Sequence, residues 1–247
     1  MTEKEMYNLI NNQNGQQSNG FVVNEKERGL SGAFPVLMRK VYTWMTLALL
    51  ITGVTAFGVA SSPTLFMSSK MMWGLIIAEL ALVFILSGAI NRLSLGTATL
   101  MFIGYSVLNG AMLSSIVLLY KPMVIAKVFF ITAGTFGAMA VYGYTTKKDL
   151  TSMGKILFMA LIGLIIATMV NMFLKSPVFD YILSYIGVAI FIGLTAWDSQ
   201  KIKEMLQTQY DMSEGAQKLA LLGALTLYLD FINLFLYLLR IFGNNRD

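Results

Sequence analysis

The chain has 247 residues, of which 56% are hydrophobic and only 13% charged, about half the roughly 25% charged share of a soluble domain. Mean hydropathy is +0.67. A soluble fold of this size could not hold so much apolar side chain without a greasy surface. The composition therefore indicates a polytopic membrane protein and excludes a soluble enzyme, a nucleic-acid-binding domain and a disordered chain. The net charge of +5 fits basic residues gathered in the loops on one side of a membrane better than it fits a nucleic-acid surface. Cysteine and histidine are both absent. Disulfides, zinc sites, haem and thiol nucleophiles are excluded, and no imidazole is available as base or pH switch. Proton chemistry falls to carboxylates. A metal would need oxygen ligands, which favours hard cations such as Ca²⁺.

Residues 1–31 are polar, with an Asn/Gln/Gly/Ser-rich stretch from Asn11 to Gly20. They read as a flexible cytoplasmic tail. No apolar run follows a basic start, so the segment does not read as a signal peptide. Seven apolar runs follow at 41–60, 72–90, 98–119, 124–145, 156–174, 178–197 and 219–242. Each has the length of about 20 residues that a helix needs to cross the hydrocarbon core. None alternates as a barrel strand would. The expected fold is all-α, a seven-helix transmembrane domain over 32–247 behind the tail. Pro63, Pro122 and Pro177 fall in predicted loops, and Pro35 lies ahead of the first run.

Lys and Arg set the orientation. With the N-terminus inside, 12 basic residues are cytoplasmic and 6 lie opposite. If the last run were re-entrant the split would be 14 to 4, so the charges leave the seventh crossing open. Within the runs, Lys127, Asp180 and Arg240 lie near predicted ends and can snorkel. The 21 Gly residues, many inside spans, suggest close helix approach.

Three acids are harder to place. Asp230, in LTLYLDFINLFLYLLRIFG, is eleven residues into the last run, roughly 17 Å deep at 1.5 Å per residue. It needs a partner, water or a proton. Asp198, in AWDSQKIKEM, closes the sixth run and by itself reads as a solvated helix end. Glu79, in WGLIIAELALVF, is seven residues into the second run. It is a candidate for lining an ion pathway or for bonding a polar neighbour, as are the mid-span amides Asn109 and Asn171. No metal-ligand cluster or nucleophile–base pair is visible, so no enzyme is expected.

Several segments carry a resemblance. YLDFINLFLYLLRIFG at 228–243, AWDSQKIKEM at 196–205, YSVLNGAMLSSI at 105–116 and YGYTTKKDLTSMGKILFMALIGLIIATMVNMF at 142–173 resemble the transmembrane Bax-inhibitor motif family, bacterial branch. The likeness runs from about Gly32 to Gly243. It implies seven helices with the last one central and six around it. It also implies that Asp198 and Asp230 form a proton-sharing, pH-sensing pair, with Arg92 in SGAINRLSLG as a latch onto Asp198 in one state. The resemblance further implies a pH-sensitive calcium leak channel or transporter in a bacterial inner membrane, with Asp198 and Asp230 meeting Ca²⁺. It carries no resident cofactor. Its partners are the lipid bilayer, calcium ions and protons. The alternative it offers is a regulator of a membrane-bound AAA protease, acting through helix contacts and the tail.

Overall fold

The computed structural model describes residues 3–62 and 69–243, with side chains over 32–62 and 72–243. The backbone of residues 3–31 is helical, where the sequence reads as a flexible tail, and their side chains lie outside the described residues. The helices are α1 (Glu3–Ala60), α2 (Ser69–Ala89), α3 (Leu95–Leu119), α4 (Pro122–Thr145), α5 (Thr151–Leu174), α6 (Pro177–Gln207) and α7 (Glu214–Phe242), with a 3₁₀ turn at Ile90–Arg92. All seven are long and apolar enough to cross a membrane, the first over Gly32–Ala60. The helices are therefore those the hydropathy predicts, with two shifts. The first span begins nine residues earlier than expected and takes Pro35 inside the helix. The sixth helix runs ten residues past its apolar run to Gln207. The extension carries Lys201 and Lys203 on an otherwise helical period, so hydropathy stops where helical propensity does not.

The connections follow from local chemistry. Pro122 and Pro177 open α4 and α6, where a missing N–H costs nothing. The hydroxyls of Ser94, Ser176 and Ser213 accept from the backbone N–H of Thr97, Phe179 and Ala216 at 3.1, 3.3 and 3.3 Å, capping α3, α6 and α7. These short links alternate the chain between two faces. One face carries the 2–3, 4–5 and 6–7 connections, and the other carries the 3–4 and 5–6 connections and the end of α7.

The bundle is apolar outside as well as inside. Val54, Phe84 and Phe173 are 74%, 73% and 81% exposed, which is the surface that lipid rather than water covers. Burial is uneven. In α7, 67% of the span is inside, against 11% in α2 and in α5. α7 packs chiefly on α1, α3, α4 and α6, and α2 and α5 lie at the periphery. An arrangement with all six helices around α7 goes further than these contacts. α7 is one unbroken helix of 29 residues, roughly 43 Å at 1.5 Å per residue, so it is long enough to cross fully.

Close approach is concentrated at a few glycines. A Cβ on Gly110 would strike the backbone of Thr52, and one on Gly143 would strike the carbonyl of Ala196. These two positions set how near α3 lies to α1 and α4 to α6. By contrast Gly104, Gly134, Gly137 and Gly163 have open space at the Cβ position. They are not helix contacts, although the sequence groups them with the others. Gly143→Leu should cost about 3 kcal/mol or more through overpacking against backbone that cannot yield, whereas Gly163→Leu should be nearly neutral. Thermal melts of the purified full-length variants in one detergent check the contrast.

Candidate functional site

Asp198 and Asp230 meet because of helix register and side-chain tilt. Gly187 lies under Tyr237, and Gly223 under Ile202, which fixes α6 and α7 as an antiparallel pair. In this register Asp198 falls opposite residue 227, and Asp230 is about one turn deeper. Side chains tilt toward their own helix N-terminus. In antiparallel helices the two carboxyls therefore lean toward each other. They interact directly, within hydrogen-bonding reach. Both residues are buried, at 7% and 5% exposure, and Asp230 Oδ2 has no hydrogen-bond partner among the described residues. Lys201, one turn beyond Asp198, is the cation in its electrostatic surroundings. It sits 4.8 Å from the centre of the Trp197 ring.

The next residues of the same segment hold α6 to the 4–5 connection. Gln200 Nε2 donates to Lys148 O and Gln200 Oε1 accepts from Leu150 N–H, each at 2.8 Å. Lys203 Nζ donates to Tyr144 O at 2.8 Å. These bonds clamp the helix end that carries Asp198. Sequence reasoning assigns Gln200 no role. The available signal was an amide two residues after Asp198 in a polar, charged stretch.

Arg92 is exposed at the end of the 3₁₀ turn. Lys218 Nζ donates to Leu93 O at 2.7 Å, and Leu95 N–H donates to Glu214 Oε1 at 2.8 Å. This corner is thereby fastened to the first turn of α7. The ion pairs among the described residues are Lys218–Glu214 and Arg240–Asp180, and neither uses Arg92. The structure places Arg92 on the face that carries the end of α6, but does not join it to Asp198. Asp180 and Arg240, read singly as snorkelling residues, pair at 3.3 Å on the opposite face. Both are half exposed, so the pair contributes at most about 1 kcal/mol.

A second polar group crosses the bundle from α2 to α1. Asn109 lies between the Glu79 carboxyl and the Tyr105 hydroxyl. The Tyr105 ring meets the Tyr228 ring edge-on, centroids 5.9 Å apart. The Tyr228 and Thr52 hydroxyls are hydrogen-bonded at 2.7 Å, and Thr52 Oγ1 also donates to Ser106 O at 3.0 Å. Glu79 Oε1 and Asn109 Oδ1 are buried and lack hydrogen-bond partners among the described residues. Glu79 and Asn109 are thus brought together, and Asn171 is not with them. It lies three residues from the end of α5, where its Oδ1 accepts from Ser176 N–H at 3.2 Å, bridging the exit of that helix. Sequence reasoning missed Thr52, Tyr105 and Tyr228. A tyrosine two residues before a mid-span acid was the available signal.

Among the described residues no group of three or more acidic, His or Cys side chains could hold a metal ion. Two carboxylates with an orphaned oxygen can contribute to a Ca²⁺ shell of 6–8 oxygens but cannot complete it.

The model of the family described as inhibitor of apoptosis-promoting Bax1 matches residues 35–247. The chain belongs to this family. It is 52% identical over 215 residues to the inner membrane protein YbhL of Escherichia coli K12, covering 85% of this chain and 92% of that protein. It is 48% identical over 213 residues to the uncharacterized protein RP147 of Rickettsia prowazekii, covering 85% and 90%. An uncharacterized membrane protein of Streptococcus pyogenes, M6_Spy0327, is 44% identical over 174 residues, covering 70% and 74%. None of these names describes an enzyme.

Tyr228→Phe should destabilise the protein by about 0.6 kcal/mol, the typical worth of a hydrogen bond between membrane helices. Thr52→Val removes both bonds of that hydroxyl and should cost about twice as much. Unfolding in SDS/detergent mixtures, compared across the two variants, checks the order.

Proposed function

We propose that this Bax-inhibitor-family protein is a pH-sensitive cation leak of a bacterial inner membrane, with its N-terminus cytoplasmic and Ca²⁺ as the cargo. The observation that carries this reading is the buried contact between Asp198 and Asp230. Two carboxyls in contact cannot both ionise cheaply, so they share a proton. With the proton between them they hold α6 to α7. Without it, two like charges repel or capture a cation, and Ca²⁺ accepts such oxygen ligands in flexible geometry. Titration of the pair thereby becomes movement of one helix against another. The buried, partnerless oxygens of Glu79 and Asn109 support a second polar station, so a cation or proton crossing the bundle has more than one place to rest. The name of the Escherichia coli relative supports the inner-membrane placement, and the Lys/Arg bias supports the orientation.

Arg92 is the latch in this reading. It shares a face with the end of α6, and a guanidinium can bind a carboxylate bidentately. Pairing with Arg92 favours an ionised Asp198, whereas contact with Asp230 favours a shared proton. The two arrangements compete, and pH chooses between them.

Asp230→Asn should lower Ca²⁺ uptake into proteoliposomes by about tenfold or more and flatten its dependence between pH 6 and 8, because an amide keeps the shape but cannot titrate. A wild-type pH profile in that variant would place the sensor elsewhere. Arg92→Ala should raise the leak and shift its pH midpoint, with Arg92→Lys restoring it only partially. If uptake per folded molecule and midpoint both stay unchanged, Arg92 is a headgroup anchor and the latch is wrong.

A further inference from the structure

Glu79 is the eleventh of the 21 residues of α2, about 15 Å from either end at 1.5 Å per residue. A carboxyl therefore stands at the middle of a span that lies at the edge of the bundle. Only 11% of the α2 span is inside. Ile77 and Leu80, beside Glu79, are 65% and 54% exposed, on the surface that hydrocarbon covers. Glu79 itself is half-buried where α2 lies against α3.

The neighbours of this carboxyl do not compensate a charge. α3 carries no charged residue. The titratable side chains that face Glu79 are the phenols of Tyr105 on α3 and Tyr228 on α7, and the Tyr228 hydroxyl is engaged with Thr52. Arg92, on the 3₁₀ turn that follows α2, is exposed thirteen residues on, about 20 Å along the axis. The ion pairs among the described residues do not include Glu79. An ionised carboxylate in hydrocarbon needs a cation or several donors. Glu79 has the single amide of Asn109 beside it, and its Oε1 has no donor among the described residues.

A proton resolves this geometry. Asn109 is 9% exposed, and its Oδ1 also lacks a donor. Two unsatisfied acceptors on adjacent side chains become one hydrogen bond when the carboxyl is an acid, because a protonated carboxyl has an O–H to give. An amide has the same shape either way round, so Asn109 can present Oδ1 to it. Ca²⁺ takes roughly six to eight oxygens, and one carboxyl, one amide and one phenol at the edge of the bundle fall short of that. We propose that Glu79 and Asn109 form a proton-binding site inside the membrane, separate from the aspartate pair, in which the Glu79 acid donates to Asn109 Oδ1 and is reached from the hydrocarbon. The site narrows the second station of the leak to a proton, and it rests on the leak reading only for its use in transport.

The full-length protein in lipid vesicles at neutral pH is treated with dicyclohexylcarbodiimide, which dissolves in hydrocarbon, and digested for peptide mass spectrometry. A protonated carboxyl adds across one C=N bond of this reagent. Its oxygen bonds to the central carbon and its proton passes to nitrogen, so the whole reagent is gained and nothing leaves. The adduct should form on Glu79 of the wild type and be lost in Glu79→Gln, and a water-soluble carbodiimide should leave Glu79 unmodified. Infrared spectra should show a protonated-carboxyl stretch that disappears in Glu79→Gln and moves to higher frequency in Asn109→Leu, where the O–H has lost its acceptor. No adduct on Glu79 of the wild type, or equal labelling by the water-soluble reagent, overturns the site, and both are read without any variant having to fold. A stretch that stays in place in folded Asn109→Leu overturns the bond to Asn109 and the site with it. No flux is measured, so failure here is separate from failure of the leak, which Asp230→Asn tests.

Discussion

A carboxyl near the middle of an apolar helix has no solvent to turn to, and the packing of α7 is organised around that. Asp230 is sixteen residues into a 29-residue helix. A charged side chain at such depth costs about 3 kcal/mol or more if nothing meets it. The partner cannot be an arbitrary neighbour. It must come from an antiparallel helix at one register, because only there do the two tilts converge. That requirement ties Asp198, the Gly187–Tyr237 and Gly223–Ile202 contacts, and the Gln200 clamp into a single constraint on α6 and α7. Remove the close approach at the glycines and the carboxyls no longer reach each other; remove one carboxyl and the other is left in hydrocarbon.

The same helix solves a different problem on its other side. At 100° per residue Tyr228 lies about 200° around α7 from Asp230. Gly223, Asp230 and Tyr237 share the face toward α6, whereas Tyr228, Phe231, Ile232 and Phe235 share the face toward α1, α3 and α4. Polar groups therefore occur on both faces without touching a lipid-exposed one. On the first face two acids serve each other. On the second, side chains of four helices form one chain from Glu79 through Asn109, Tyr105 and Tyr228 to Thr52. The rest of each interface is small residues and hydrocarbon, which is what helices immersed in an equally apolar medium need in order to associate.

Hydropathy makes the seven helices legible because lipid-facing and buried positions are both apolar, and only length matters. The same property hides the packing. The helices show almost no apolar stripe, so the sequence does not tell which Gly is a contact, and Gly110 and Gly143 look no different from Gly104 and Gly163. Asp230 was conspicuous because its type is out of place in a span. Asp198 was not, since an acid at a helix end needs no explanation, and its pairing was reached through resemblance. Thr52, Tyr105 and Tyr228 were invisible for a third reason: hydroxyls are cheap in membrane helices and can bond their own backbone, so only three-dimensional neighbours distinguish a linking hydroxyl from an idle one. Asn171 shows the converse, an amide whose mid-run position suggested a pathway and whose actual neighbour is the backbone of the following turn.

α7 is also the common wall of three features that would otherwise be separate. Its α6 face carries Asp230, its α3 and α1 face carries Tyr228, and Phe231, Ile232 and Phe235 line an apolar cleft of about 600 Å³ between α1 and α4. A helix in a packed bundle moves as a rod, because bending it costs backbone hydrogen bonds that lipid cannot replace. Any displacement large enough to separate the paired carboxyls, on the order of one to two ångströms at a helix interface, therefore also lengthens the Tyr228–Thr52 bond and changes the volume of the cleft. The paired carboxyls and the Tyr228–Thr52 bond are therefore not independent of each other, because one rigid helix is shared by both.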